Sequence, residues 1–288
     1  IPSPRDRLVT ILVAPLMTCS ARLPVYALLI SAFVPARSVW GPIGLQGLVL
    51  LGLYLSGALA ALVVAAILKR FVVRGEGLPF TMELPTYRWP TFRVWISQVW
   101  TSAWAFLRRA GTIILAASIV LWLLLSFPRV EAPPEMSASE ARAYALEQSA
   151  AGRLGHAIEP LIAPLGFDWK IGVGLIASLA AREVIVATLA QVYAAGSGDE
   201  TESLRDSLRA DRDPETGEKV FTPATVGALL VFFVFALQCT STIAIMSRET
   251  NSWHWPAFAF GYLLVLAYTA SFLTHRVVGA LAGSDWVS

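Results

Sequence analysis

Three short stretches of this chain place reactive or charged side chains inside otherwise apolar sequence. The first is Pro15-Leu16-Met17-Thr18-Cys19-Ser20-Ala21-Arg22-Leu23-Pro24. The second is Gln238-Cys239-Thr240-Ser241-Thr242-Ile243-Ala244-Ile245-Met246, and the third is Arg182-Glu183 in the middle of an apolar run. Sulfur ligands select transition metals over Mg²⁺ or Ca²⁺. Helical spacing puts Cys239, Thr242 and Met246 on one stripe, at i, i+3 and i+7, a plausible path for a soft metal ion. Glu183 is a cation ligand or a proton-linked carboxylate. Each stretch also has a plainer reading. Cys19 alone is a small buried hydrophobe beside a proline kink, and small polar residues serve helix packing in membranes. Glu183 alone is one half of an ion pair with Arg22, Arg182 or Arg248.

Pro15 and Pro24 lie nine residues apart, and each removes a backbone donor and clashes with the preceding turn. A chain broken in this way frees carbonyls and amides. At membrane depth that is tolerated only inside protein or beside a watery cavity. Discontinuous helices of this kind build ion sites in many transporters, so Pro15, Arg22, Pro24, Gln238 and Arg182 are read as gating or structural residues. Thr18, Ser20, Ser241 and Thr242 are secondary ligand candidates.

Other chemistries are not written in the sequence. It has no phosphate-binding glycine loop, no nucleophile elbow and no H-E-x-x-H pair. Its three histidines, His156, His254 and His275, do not pair at metal-ligand spacing. Two cysteines make no disulfide framework. A net charge of +2 implies no nucleic-acid partner.

The elements that must hold these residues are membrane spans. The chain is 56% hydrophobic and 15% charged, where a soluble domain carries about a quarter charged residues. Residues 45–68, 110–127, 224–246 and 255–274 reach the roughly 20 apolar residues that cross a bilayer core. Residues 171–195 and 8–34 reach it too, with the interruptions described above. Residues 91–107 space Trp95, Trp100 and Trp104 among polar residues and end on Arg108-Arg109, the pattern of a helix lying on the membrane surface. Residues 154–165 are too short to cross. If all six stretches cross once from a cytoplasmic start, fourteen basic residues fall inside and six outside, with Arg22 and Arg182 within spans. The loop 128–170 is acidic, with a short amphipathic helix expected over 135–151. The loop 196–223 reads as flexible.

The two cysteine segments echo each other. Each follows an apolar run, each sets small polar residues after the cysteine and an arginine beyond, and each leads into an aromatic-rich span. Two interrupted spans in two halves suggest an internal repeat around a central site. The fold expected is all-α, a polytopic transmembrane helical domain with two discontinuous or re-entrant gate segments. Its parts are 1–127 with the first gate, 128–170 as an external loop with short helices, and 171–288 with the second gate.

The segment from Pro15 to Tyr26 resembles the first Gate motif of the ferrous iron transport protein B family. Gln238-Cys239-Thr240-Ser241-Thr242, followed by Arg248-Glu249-Thr250-Asn251-Ser252-Trp253-His254-Trp255-Pro256, is similar to the second Gate motif and its following loop. Glu83-Leu84-Pro85-Thr86-Tyr87-Arg88 and Ala181-Arg182-Glu183-Val184 match family segments in order. The resemblance implies uptake of Fe²⁺ across the bacterial cytoplasmic membrane, with Cys19 and Cys239 as transient Fe²⁺ ligands and no permanently bound cofactor. It also implies that an N-terminal GTP-binding domain and preceding helices, normal in the family, lie outside this chain, which begins at Ile1 and is read as a piece of something longer. The chain itself is then no enzyme. Its expected partners are the lipid bilayer, those other parts of the polypeptide, small accessory iron-transport proteins and further copies of itself. The rival readings are a gate-fold transporter of an organic solute such as a nucleoside, and a non-transporting membrane anchor or assembly subunit.

Overall fold

The computed structural model describes residues 3–40, 43–71, 89, 91–128, 144–145, 147–179, 182, 184–193, 200–212, 217, 219–237 and 239–282. Helix α1, Pro4–Val13, starts where the Ser3 hydroxyl caps the Asp6 amide and Pro4 pre-sets the first turn. Pro15 stops it in a 3₁₀ turn, Ala14–Leu16, and the chain is extended through Cys19 before a second 3₁₀ turn, Ser20–Arg22, opens α2, Leu23–Phe33. A two-stranded antiparallel ribbon, β1 Ser38–Trp40 with β2 Ile43–Gly44, leads into α3, Leu45–Phe71. At 1.5 Å per residue α3 is about 40 Å long, enough to cross a bilayer core of about 30 Å.

Helix α3 serves as a ruler for the first interrupted segment. Asp6 lies 3.7 Å from Lys69 at one end of α3, and the Val34 carbonyl accepts from Gln46 at the other end. The segment from α1 through α2 therefore crosses, broken in the middle, and is not a re-entrant loop.

The second interrupted segment has the same form in reverse. Helix α9, Pro223–Phe235, is capped by Thr222 and gives way to extended chain at Ala236. Helix α10, Thr240–Thr250, follows Cys239 and ends at Asn251 in the left-handed conformation. Helix α11, His254–Ala282, then returns along α9, with Ala224 facing Gly279 near the far end. Arg7 pairs with Glu249, so α1 begins on the face where α10 ends. Broken span followed by long return helix occurs twice, in opposite senses. This is the inverted repeat geometry of many transporters, and it gives the echo between the cysteine segments a structural form.

Between the repeats run α4, Phe92–Ser126, α5, Ala150–Ile162, α6, Trp169–Ser178, α7, Val184–Val192, and α8, Glu200–Ala210. Two sequence expectations change here. The surface helix expected over 91–107 is not separate: it is the first half of the 35-residue α4. Arg93, Ser97, Thr101, Arg108 and Thr112 recur at helical spacing, so the polar face continues past Arg108-Arg109, and no proline stops it. The loop 196–223 is likewise not wholly irregular. Helix α8 buries Leu204 and Leu208, one turn apart, and Arg209 donates to the Ala32 carbonyl of α2. The helix expected over 135–151 and the segment 83–88 lie largely or wholly outside the described residues.

The largest correction concerns topology. Lys170 and Asp211 form a 2.7 Å ion pair, and the Tyr193 hydroxyl donates to the same carboxylate at 2.7 Å. Residues 171–195 thus leave one face and come back to it, because the chain breaks between Ser178 and Val184. Helix α6 has ten residues, about 15 Å, or half the bilayer core. Everything after this hairpin is inverted relative to six single crossings. Among the described residues, the face of Arg7 then carries Arg5, Arg7, Lys69, Arg70, Arg93, Arg108, Arg109 and Arg248. The opposite face carries Arg37, Arg153, Lys170, Arg205, Arg209, Arg212, Lys219 and Arg276. Among the described residues eight stand against eight, so the basic-residue bias expected from six single crossings disappears and no longer orients the protein.

Candidate functional site where three broken segments meet

The three interruptions noted in the sequence converge. The Thr240 amide, just after Cys239 in the second break, donates to the Leu179 carbonyl at the hairpin tip over 3.3 Å. From the same tip, Arg182 donates to the Ala236 carbonyl at 3.0 Å. Arg22, in the first break, donates to the carbonyls of Pro15 at 2.9 Å and Leu16 at 3.4 Å. Arg22 and Arg182 lie close enough to interact electrostatically. Both are buried, Arg22 completely.

Depth follows from α3. Gly57, close to the midpoint of that helix, faces the first break and the end of α9 together. A β-carbon there would lie 3.2 Å from the Leu16 carbonyl oxygen, 3.4 Å from Thr18 Oγ1 and 3.5 Å from a Val234 methyl. A side chain at this position would crowd the Leu16 carbonyl, so glycine lets α3 pack close against the first break. The breaks therefore sit midway across, where no water satisfies freed backbone groups.

The arrangement answers where those groups go. Helices α1 and α9 present C-terminal carbonyls to the centre, carrying partial negative charge, while α2 and α10 present N-terminal amides. A guanidinium caps the carbonyls of each break. The plainer reading of Glu183 as the partner of Arg22 is not testable in the described residues, since Glu183 and Gln238 lie outside them.

The other candidate residues separate into two groups. Cys19 is exposed and Cys239 half-buried, both free thiols on extended backbone immediately before a helix. Thr18 is half-buried against Gly57, Ser20 is exposed, and Ser241 and Thr242 are half-buried in the first turn of α10. Pro15 is buried and Pro24 exposed. Met246 stands apart, buried in an apolar cluster with Val9, Leu12, Leu16, Ala61, Leu237 and Leu263. Among the described residues no three of His, Cys, Asp and Glu are grouped to hold a metal ion. Leu179, Gly57 and Tyr26 were not singled out from sequence. Gly57 had a signal, a small residue at the centre of a span, whereas a leucine whose carbonyl matters has none.

A second polar cluster lies on the Lys170 face. The Asp168 carboxylate caps α6 by accepting from the Ile171 amide at 2.9 Å. Burial pushes its pKa up to about 6, partly offset by that amide and by Lys170. Lys170 also sits 5.0 Å from the centre of the Tyr193 ring.

Comparison with known proteins matches this arrangement in two stretches. Residues 107–253 match the Gate model described as nucleoside recognition, and residues 50–101 match the model for the ferrous iron transport protein B C terminus. The first break precedes both. A protein named Fe(2+) transporter FeoB from Leptospira interrogans is 42% identical over 94% of this chain and 39% of its own length. A Staphylococcus aureus protein of the same name is 34% identical over 95% of this chain and 37% of its own. A Porphyromonas gingivalis protein, named as a fusion of Fe(2+) transport protein A and Fe(2+) transporter FeoB, is 40% identical over 96% and 35%. The chain thus spans less than two fifths of the length of these relatives. No solved structure matches it.

Proposed function

Because the chain belongs to the ferrous iron transport protein B family, whose C-terminal membrane region it matches, we propose that it forms the permeation path for Fe²⁺ in a bacterial cytoplasmic-membrane transporter. The observation that carries this reading is the meeting of three broken segments at mid-depth, joined through Thr240, Leu179, Arg182 and Ala236. A non-transporting anchor has no use for three costly interruptions at one level.

In this reading Cys19 and Cys239 bind Fe²⁺ in passing, helped by Thr18, Ser20, Ser241 and Thr242, with Glu183 as a charge partner. Few ligands suit a transport site, since a complete coordination shell would trap the ion. The chain supplies the path and no covalent chemistry. GTP binding belongs to other parts of such transporters, and the fused relative from Porphyromonas gingivalis supports a small accessory protein as partner. Self-association is part of the same proposal.

The test is ⁵⁵Fe²⁺ uptake by cells carrying the complete protein. Cys19→Ser and Cys239→Ser each reduce uptake at unchanged protein level; full uptake by both variants overturns the ligand assignment. Excess nucleoside leaves uptake unchanged, whereas competition favours an organic solute.

A further inference from the structure

Resting on the transport reading above, we propose that the Met17 thioether is a further iron ligand, paired with the Cys19 thiol, and sets the preference for Fe²⁺ over harder divalent ions such as Mn²⁺. The methionines of the two interrupted segments lie in opposite settings. Met246 is 3% exposed, whereas Met17 is 64% exposed. Met17 follows the 3₁₀ turn Ala14–Leu16 on extended backbone, with φ −67° and ψ 135°, and Cys19 is extended as well. Burial alternates along this stretch: Leu16 is buried, Met17 exposed, Thr18 half-buried against Gly57, and Cys19 exposed. Extended chain sends successive side chains to opposite sides, so the two sulfur side chains share the side turned away from α3.

Broken backbone at mid-depth survives only against protein or beside a watery cavity. On the transport reading, the open side of the first break is therefore the ion path, and Ser20, exposed on the same stretch, adds a hydroxyl to it. The second break has no such sulfur pair. Two residues before Cys239 stands Leu237, 2% exposed and packed in the apolar cluster that holds Met246. Residues two apart on extended chain have α-carbons about 6.6 Å apart. Two sulfurs sharing one ion stand about 4–5 Å apart, given metal–sulfur bonds of about 2.3 Å, and the unbranched, three-torsion methionine side chain covers the difference. A thioether carries no charge, which suits an ion that must leave again. Its softness favours the later transition metals over Mn²⁺ and Mg²⁺, which prefer oxygen ligands.

The experiment uses the complete protein in proteoliposomes under reducing conditions and measures ⁵⁵Fe²⁺ uptake against rising Mn²⁺. The readout is the Mn²⁺ concentration that halves uptake, divided by the KM for iron, a ratio that a merely structural role for Met17 would not move. Met17→Leu conserves volume and apolar character, and it lowers this ratio about tenfold, as loss of one interaction of about 1.4 kcal/mol does. Met17→Gln keeps the length, replaces sulfur by a hard oxygen and lowers the ratio too; it carries the test where Met17→Leu does not reach the membrane. A wild-type ratio in either folded variant, with iron uptake intact in the wild type, overturns this proposal and leaves the transport reading standing. Absence of iron uptake by the wild type overturns both.

Discussion

Lys170 and Asp211 are joined by a 2.7 Å ion pair across 41 residues of intervening chain. The intervening sequence is apolar enough to cross a bilayer, yet both ends stand on one face. A single contact thereby converts a span into a re-entrant hairpin and reverses the direction of α9, α10 and α11.

This topology is checked with membrane-impermeant thiol reagents on Lys170→Cys and Asp211→Cys, with Arg7→Cys and Glu249→Cys as the opposite pair. Positions 170 and 211 label from one side of sealed vesicles, and positions 7 and 249 from the other. Labelling of 170 and 211 from different sides would contradict the hairpin.

Gly57 admits no larger residue without moving the first break. Gly57→Leu overpacks the contact with Leu16, Thr18 and Val234, costs about 1–3 kcal/mol, and lowers transport. Gly47→Leu and Gly52→Leu, with nothing within 4 Å of an added β-carbon, leave both unchanged. Thermal unfolding and uptake on the same three variants decide the point.

Met246 separates packing from ligation. It lies in an apolar cluster, so Met246→Leu retains stability and uptake, while Met246→Ala destabilises by about 2–5 kcal/mol. Loss of uptake in a stable Met246→Leu protein would return the thioether to the iron path.

Asp168 gives the protein a pH signature. Its folded pKa, about 6, lies above its ordinary value of 3.8, so the folded state holds the proton more tightly than the unfolded one. Its contribution is most favourable below about pH 4 and is lost as pH rises through about 6. Asn also caps a helix, so Asp168→Asn melts increasingly above the wild type as pH goes from 4 to 7. Asp168→Ala, which forfeits the cap, loses about 1 kcal/mol of that advantage. A pH-independent gap between wild type and Asp168→Asn would refute the assignment.

The apolar runs, the two interrupted cysteine segments and the place of Arg182 were all legible in the sequence, because membrane length and polar cost act locally. Direction was not. The hairpin at 171–195 has the length of a crossing, and only Asp211, a residue in a charged loop, reveals the return. Charge counting inherited the error, since moving one turn of the chain reassigns every later residue. Arg108-Arg109 misled for a different reason: long basic stems carry charge along an apolar helix without ending it. The stripe of Cys239, Thr242 and Met246 was drawn as one helix face, yet α10 starts only at Thr240 and its far end faces packing.

Helix α4 carries one more consequence. Its 35 residues make a rod of about 52 Å, roughly 20 Å longer than a bilayer core. Just past its end, the Phe127 carbonyl accepts from the Ala150 amide at the start of α5. Helix α5 presses Gly155 against the Trp169 carbonyl at the root of the hairpin, and the hairpin tip holds the second break through Thr240. A continuous chain of contacts thus links the end of α4, through α5 and the hairpin, to the second break.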